Sequence, residues 1–437
     1  MARAEGRGGA PSGGMAAMAP RGSAETSLLT QVRGTLPGGR ANARTVAALT
    51  ENPGCTRRRV IDSAGIRADQ LAKRTGHPTV RGQSPFAIAS GTMFEWRLKE
   101  GTRYELLFEA LKERFAFDAA NSRVLDINRA PGKVGSEAWL IERARQTDVA
   151  LAAMARGDSG APNLVDHPVL MFDLAGVRMY LEPDALAFRI EDRLEVVEVK
   201  SYPVIDDQAD PSKVASTAGQ AAVYVLALRS AMERLGVNPD LVAWSAILIA
   251  PRNFSRQPTA HRIPLRKKAS AISRVLASLP STIKVLATLP KGFTLGPDVD
   301  PKRLTESTVQ ALGAIQALYV PECLASCDLA QFCRAEAILR DDVGRIGRLA
   351  RDTLAGVASL SDVMRLAREP AGSGNGPSSD IAEALCAAGG ALDRARSAAP
   401  ASCGVNPAEE GRGRSRDGAG RKAAGRRTSD RARSTRR

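Results

Sequence analysis

Two carboxylates and one lysine lie on neighbouring predicted strands near the middle of the chain. The segments 180–190 and 194–200 are rich in apolar residues and are joined by a polar turn, which predicts two adjacent strands. Asp184 lies in the first segment, and Glu198 and Lys200 lie in the second. Because alternate residues of a strand share a face, Glu198 and Lys200 are predicted beside aliphatic residues on a largely buried face.

Charged groups on such a face need a compensating partner, because an unpaired buried charge is strongly destabilising. Magnesium and manganese prefer hard oxygen ligands, and Asp184 and Glu198 would supply two carboxylates. Lys200 would then stabilise developing negative charge or position an attacking water. The pattern therefore predicts metal-dependent hydrolysis of a nucleic-acid backbone, with an ordinary hairpin carrying surface charges as the alternative for these three residues alone.

Three further polar residues fall in predicted helices on either side of these strands. Downstream, an amphipathic pattern over residues 213–235 places Gln220 and Tyr224 four residues apart on one helical face. Upstream, Glu95 follows Gly91 by four residues in another helical pattern. Each of these residues is unremarkable in a helix when taken alone. What makes them informative about function is their order along the chain relative to the two strands.

In that order the elements resemble the RecB-like branch of the PD-(D/E)XK nuclease superfamily. Its members carry a G-x-x-x-H/E helix, a strand aspartate, an E-x-K strand and a Q-x-x-x-Y helix. The resemblance implies an α/β fold, a restriction-endonuclease-like α/β/α sandwich with a mixed central sheet and additional helices. It implies metal ligation by Glu95, Asp184 and Glu198, action on the water or phosphate by Lys200, and orientation of Lys200 and DNA by Gln220 and Tyr224.

Three of the six cysteines form a cluster with the spacing C-x3-C-x5-C, which suits metal or iron–sulfur ligation. They are Cys323, Cys327 and Cys333, and the candidate fourth ligand is the distant Cys55. The arrangement looks like the iron–sulfur branch of the RecB-like nucleases, including the AddB nucleases and the exonucleases of CRISPR adaptation. In that branch, one upstream and three downstream cysteines hold a 4Fe-4S cluster. Structural zinc and unligated or redox cysteines remain alternatives.

The other candidate positions are less specific. Arg57, Arg58 and Arg59, beside Cys55, could grip a DNA backbone or form a solvated helix face. Cys386 and Cys403 lie in low-complexity sequence and are predicted to be unligated. The three histidines are scattered and are predicted to be structural or exposed: His77, His167 and His261.

The formal net charge of +15 is concentrated at the two ends of the 437-residue chain. Residues 1–45 carry +4 and residues 404–437 carry +7. The basic tail could attract phosphates or serve solubility. The predicted domains are a disordered segment over 1–45, a nuclease domain closed by the cysteines over 46–345, a helical low-complexity extension over 346–403 and a disordered basic tail over 404–437.

The chain shows no apolar run long enough to span a bilayer, no signal-peptide pattern and no P-loop, so a soluble, cytoplasmic protein without membrane association is expected. Any unwinding would come from a partner such as a helicase or another repair or defence protein. The predicted function is a magnesium- or manganese-dependent DNA nuclease acting on single strands or ends in repair, recombination or phage defence. The alternative is a non-catalytic, iron–sulfur-stabilised DNA-binding or adaptor subunit with the same fold.

Overall fold

Six strands form one mixed sheet in the computed structural model, which describes residues 23–39, 42–79, 85–115, 117, 122–354, 356–368 and 379–398. Two further strands form a separate hairpin. The strands are β1 (Val124–Asp126), β2 (Leu164–Asp166), β3 (Leu170–Leu174), β4 (Val177–Leu181), β5 (Ala185–Ile190), β6 (Arg193–Val199), β7 (Val242–Pro251) and β8 (Pro258–Pro264).

The helices are distributed before, between and after the strands. The first eight are α1 (Ser23–Arg33), α2 (Ala43–Glu51), α3 (Thr56–Ser63), α4 (Ala68–Arg74), α5 (Pro85–Trp96), α6 (Glu105–Arg114), α7 (Glu137–Arg156) and α8 (Pro211–Arg234). The remainder are α9 (Arg266–Ser278), α10 (Thr282–Leu286), α11 (Leu304–Gly313), α12 (Cys323–Ser326), α13 (Ala330–Arg340), α14 (Arg348–Thr353), α15 (Leu360–Leu366) and α16 (Ser379–Ala398). A π-helical turn, Arg97–Gly101, joins the end of α5 to the approach to α6.

The sheet order is β1-β2-β5-β6-β7-β8, and β3 pairs with β4. The β1–β2 and β6–β7 pairs are parallel, whereas β2–β5, β5–β6 and β7–β8 are antiparallel. The predicted α/β class with a mixed sheet and additional helices is therefore confirmed. The order also places β2 directly beside β5, although 18 residues separate the end of β2 from the start of β5.

Apolar side chains cover both faces of the central strands. On one face, Val196 of β6 and Leu248 of β7 belong to a core that includes Val223 and Leu228 of α8. On the other face, strand residues pack in a core with Leu107 of α6. The near-continuous apolar run of β7 matches the prediction of a central strand covered on both sides.

Helix α8 begins where its sequence provides a cap and a favourable first residue. The Asp210 side chain accepts hydrogen bonds from the backbone N–H groups of Ser212 and Lys213, and Pro211 occupies the first turn. Both features stabilise a helix N-terminus. The helix then runs for 24 residues and packs along the sheet, which fixes the position of Tyr224 relative to β5 and β6.

A second core joins the N-terminal helices to residues near the cysteine cluster. Leu29 and Val32 of α1 are buried in it together with Leu312 and Phe332. The prediction that residues 1–45 are wholly disordered is wrong over α1, because its apolar residues have a core to enter. Residues 1–22 and 404–437 lie outside the described residues.

The chain divides into two units, one ending at Asp362 and one beginning at Val363. The first unit includes the whole sheet and the cysteine cluster, and extends past the predicted domain boundary at residue 345. The second unit includes α16. None of the described helices combines the length and apolar character needed to cross a membrane.

Candidate functional site

Asp184, Glu198 and Lys200 converge at one end of the β5–β6 pair. Asp184 immediately precedes β5, Glu198 lies within β6, and Lys200 directly follows it. The Lys200 Nζ lies 2.6 Å from Glu198 Oε2 and 3.8 Å from Asp184 Oδ2. The backbone N–H of Val199 donates to Asp184 Oδ2 at 2.7 Å, which holds the aspartate against the end of β6.

Glu198 is a carboxylate at the centre of this group with no exposure to solvent (0%). Its Oε2 accepts a hydrogen bond from Lys200, but among the described residues Oε1 has no hydrogen-bond partner. Burial, and then the charge of Asp184, raise the pKa of Glu198 to about 7. A buried oxygen without a donor is costly, and a cation bound to Oε1 would remove that cost.

The Lys200 ammonium remains charged in this setting. Burial acts to lower its pKa, but the charges of Glu198 and Asp184 outweigh burial and raise the pKa to about 12. The side chain is held between the two carboxylates at the mouth of the site, where it retains partial exposure. It can therefore donate hydrogen bonds to an anion that enters from solvent.

Glu95 approaches the same group from α5. Its charge contributes to the raised pKa of Glu198, which places the two carboxylates within electrostatic reach. Glu95 Oε1 accepts a 2.8 Å hydrogen bond from Lys99 Nζ and lies 3.5 Å from His167 Nε2. The His167 hydrogen bond outweighs burial and, with the Lys99 charge, lowers the pKa of Glu95 to about 2.

Lys99 connects several parts of the site through one buried ammonium. Its residue exposure is 2%. Besides Glu95, its Nζ contacts Asp166 Oδ1 at 2.7 Å, the Asp184 carbonyl oxygen at 3.0 Å and His167 Nε2 at 3.3 Å. Lys99, in the π-helical turn after α5, thus links that turn to the end of β2 and to the residue before β5. No sequence pattern predicted this role.

His167 also belongs to the site, although it was predicted to be structural or exposed. It directly follows β2 and has a positive φ of 48°. The backbone N–H of His167 donates to the Asp184 carbonyl oxygen at 3.2 Å. The Asp166 and Glu95 carboxylates overcome burial and raise the pKa of His167 to about 9. In the sequence, His167-Pro168 looks like a turn, which gave no sign of these contacts.

In the part of the chain that the structure describes, one group of three metal-ligand donors lies within 4.8 Å: Asp126, Asp166 and His167. These donors already have partners. Asp166 accepts from the Tyr104 hydroxyl at 2.8 Å and pairs with Lys99, while Asp126 accepts from Arg129 Nε at 3.0 Å. The group is accordingly a paired network beside the candidate site.

Gln220 and Tyr224 lie on one face of α8, as predicted, but their hydrogen bonds run to the loop before Asp184. Gln220 Nε2 donates to the Tyr224 hydroxyl at 3.3 Å, and that hydroxyl donates to the Glu182 carbonyl oxygen at 2.9 Å. Arg143 bonds the Glu182 carboxylate at 2.8 Å. Tyr224 therefore fixes the backbone that presents Asp184, and the predicted orientation of Lys200 by these residues stays a prediction.

The four predicted cysteine ligands come together from distant parts of the sequence. Cys55 precedes α3, Cys323 and Cys327 bracket α12, and Cys333 lies in α13. Burial is the main cause of raised pKa values for Cys55, Cys327 and Cys333, and mutual charge interactions with the other cysteines add to it. These interactions connect all four thiols in one cluster, hereafter the cysteine centre.

The spacing of the cysteine centre bears on which metal group fits it. Among the described donors, no three cysteine sulfurs lie within 4.8 Å of one another. Four thiolates around one tetrahedral zinc ion, at Zn–S distances of about 2.3 Å, would lie about 3.8 Å apart. A 4Fe-4S cluster spreads its four thiolates over four irons and holds them farther apart than one zinc ion does.

The three arginines beside Cys55 occupy positions different from either sequence expectation. Arg57 and Arg59 have exposures of 1% and 4%, so neither forms a solvated helix face or an open DNA-binding surface. Arg57 donates to the carbonyl oxygens of Leu312 and Ile315 and pairs with Glu336 at 2.8 Å. This corrects the assignment of Arg57, Arg58 and Arg59 as a backbone-gripping run, because Arg58 is also directed into the protein, toward Asp62 and Ser326.

The remaining two cysteines do not belong to the described part of the first unit. Cys386 is part of α16 in the second unit and is partly exposed. Cys403 lies outside the described residues. The four-cysteine prediction is therefore carried by Cys55, Cys323, Cys327 and Cys333 alone.

Replacing Lys99 with methionine should destabilise the first unit by about 3–5 kcal/mol, because Asp166 would keep its burial but lose its ammonium partner. Chemical denaturation followed by circular dichroism measures this effect. The matched control is Lys302→Met at an exposed position, which should change stability by less than about 0.5 kcal/mol. Equal stability of the two variants would contradict the central role given to Lys99.

Comparison with known proteins adds little to these observations. No family model matches the chain, and no curated protein matches it. Solved structures that match include the crystal structure of SSO0001, at 16% sequence identity, with 41% of this chain and 84% of that chain covered. Its TM-score is 0.19, a value at which the likeness carries no argument about fold or function.

Proposed function

We propose that this protein is a metal-dependent nuclease that hydrolyses phosphodiester bonds in DNA, acting on single strands or ends. The observation that carries the proposal is the burial of the Glu198 carboxylate and the hydrogen bonding of its two oxygens. Glu198 is fully buried, one oxygen is bound by Lys200, and the other lacks a donor within the described residues. A hard cation at that oxygen would compensate the carboxylate in a way that the described protein groups do not.

Glu95, Asp184 and Glu198 are the residues that would hold magnesium or manganese, since the charges of Glu95 and Asp184 both act on Glu198. As placed in the described structure, the three carboxylates do not lie within 4.8 Å of one another, so a bound ion would draw them closer. When bound, the cation supplies Lewis acidity and a water of lowered pKa. Lys200 remains protonated and can bind a phosphate oxygen or orient the water. Tyr224 and Val199 hold the Asp184 loop and carboxylate in place.

The nuclease-like sandwich is part of this proposal. Support comes from the mixed sheet with apolar cores on both faces and from the position of Asp184 just before β5 and of Glu198 within the adjacent strand β6. The basic ends of the sequence would add salt-dependent attraction to DNA phosphates. A helicase or another repair or defence protein would supply unwound DNA, and a cytoplasmic location would suit this role.

The cysteine centre is proposed to hold a 4Fe-4S cluster, with structural zinc as the alternative. Support comes from the convergence of Cys55 with Cys323, Cys327 and Cys333. Such a centre would connect the start of α3 to α12, α13 and the segment between them. A reducing compartment would keep these thiols available as ligands.

One observation favours the alternative of a non-catalytic DNA-binding or adaptor subunit. Lys99 already neutralises Glu95 at 2.8 Å, and Lys200 already neutralises Glu198 at 2.6 Å. A site whose acids are paired with lysines can be stable without a metal ion. The unpartnered Glu198 oxygen weighs against this alternative, and an activity assay separates the two.

The assay uses end-labelled single-stranded, duplex and flap DNA with magnesium, manganese or excess chelator. The wild-type protein should cut at least one substrate when a metal ion is present, and Asp184→Ala should lower the rate by about 100-fold or more. Asp298→Ala, at an exposed position, is the matched control and should retain the wild-type rate. Folded wild-type protein that cuts none of the substrates would favour the adaptor alternative.

A further inference from the structure

We infer that the segment Asn52–Arg59 is an electrostatic cage for the cysteine centre, in which each of the four sulfurs has its own polar or cationic partner. In this assignment Arg57 and Arg58 are positioning residues that stabilise bound thiolates and raise the reduction potential of the centre. The inference rests on the proposed metal centre. It goes beyond that proposal because it assigns a role to residues that are not ligands.

Two of the four pairs are direct contacts from side-chain nitrogen to sulfur. Arg57 Nη1 donates to Cys333 Sγ at 3.2 Å, and Asn52 Nδ2 donates to Cys323 Sγ at 3.3 Å. The same Asn52 nitrogen also donates to the Leu318 carbonyl oxygen at 3.0 Å, which fixes the amide orientation. These donors therefore point at sulfur because other contacts hold them there.

The other two pairs complete the set. The charge of Arg58 acts on Cys327, and Arg58 Nη1 donates to the carbonyl oxygen of the adjacent Ser326 at 2.9 Å. Arg59 is 4% exposed, and its charge acts on Cys55. One short segment thus provides one ligand and a partner for every ligand.

The ion pairs of the three arginines indicate why they need negative charge on the cysteine sulfurs. Arg57 is paired with Glu336 and Arg58 with Asp62, but the described ion pairs include none for Arg59, whose buried Nε also lacks a hydrogen-bond partner there. A buried guanidinium without a counterion is destabilising. Thiolate charge on Cys55 would supply the counterion, and thiolates are the form in which cysteines bind metal.

The cage has a predictable effect on redox chemistry. Reduction adds one electron to a cluster whose thiolates already give it negative charge. Hydrogen bonds to sulfur and nearby positive charge stabilise the reduced form more than the oxidised form. Removing Arg57 should therefore lower the midpoint potential and speed loss of metal to a chelator.

The test compares wild-type protein, Arg57→Met, Arg57→Lys and Asn52→Ala, all purified anaerobically and analysed for iron, sulfide and zinc. Arg129→Met is the matched control, since Arg129 has a side-chain exposure of 84%. Cluster potentials are measured by spectroelectrochemical titration with added dithionite, and metal retention by the rate of release to a chelator. Arg57→Met should lower the potential and release metal about tenfold faster.

Two milder substitutions, Arg57→Lys and Asn52→Ala, test the same idea if Arg57→Met does not fold. Arg57→Lys keeps the charge and should fall between wild type and Arg57→Met, while Asn52→Ala should give a smaller shift in the same direction. A zinc-loaded protein is tested by the release rate alone. Metal-loaded variants with wild-type potentials and release rates overturn the cage, whereas metal-free wild-type protein overturns the centre itself.

Discussion

Lys200→Ala should lower DNA cleavage by about 100-fold or more while DNA binding is largely retained. The side chain is the protonated donor at the mouth of the site, 2.6 Å from Glu198 and 3.8 Å from Asp184. We expect its loss to remove stabilisation of negative charge at a reacting phosphate, while the basic ends of the sequence, which are proposed to attract DNA, stay unchanged. Single-turnover cleavage of labelled DNA with magnesium or manganese measures the rate, and fluorescence anisotropy with calcium measures binding.

Two comparisons make this result specific to the site. Lys133→Ala removes an exposed lysine and should cleave like wild type. Lys200→Arg keeps the charge with a different geometry and should recover part of the rate. Cleavage by Lys200→Ala at the wild-type rate would show that the lysine has no part in the chemistry, provided that all variants give the same circular dichroism spectrum.

Cys333→Ser should have the largest effect on stability, because it removes one ligand of the cysteine centre and the sulfur that Arg57 contacts. Metal-binding free energy contributes directly to folding free energy at such a centre. We expect loss of most bound metal and a clear fall in melting temperature. Limited trypsin digestion followed by mass spectrometry should then detect cleavage after Arg57, Arg58 or Arg59, which are all directed into the native protein.

Cys386→Ser is the control for this experiment, since Cys386 lies in the second unit and outside the proposed ligand set. It should keep the wild-type metal content and trypsin resistance. Removing metal from wild-type protein with a chelator should reproduce the Cys333→Ser digestion pattern. If Cys333→Ser keeps the wild-type melting temperature and stays resistant to trypsin, the centre does not hold the N-terminal helices in place.

The parts of the site that could be predicted are those coded by local patterns. Period-two alternation placed Glu198 on a buried strand face, and helical spacing placed Gln220 and Tyr224 on one face of α8. The apolar run of β7 predicted a central strand for the same reason. Burial and periodicity are properties of a few adjacent residues, so they are readable without knowledge of the fold.

The residues that were missed depend on strand order. Lys99 and His167 join the site because β2 lies beside β5, which brings the end of β2 to the Asp184 carbonyl. No local pattern specifies that pairing. Arg57 was misjudged for a similar reason, since its partners Leu312 and Cys333 are more than 250 residues away. Three consecutive arginines look like a surface when their distant acceptors are not known.

The long separation between Arg57 and its partners also sets an order of events during synthesis. All six strands of the described sheet are complete by Pro264, whereas the ion-pair partner of Arg57 is Glu336, 72 residues later. At about 5–20 residues per second, a ribosome needs roughly 4–15 s to make that interval. The sheet can therefore assemble while α3 still lacks the groups that bury its arginines, so α3 is fixed later than the strands.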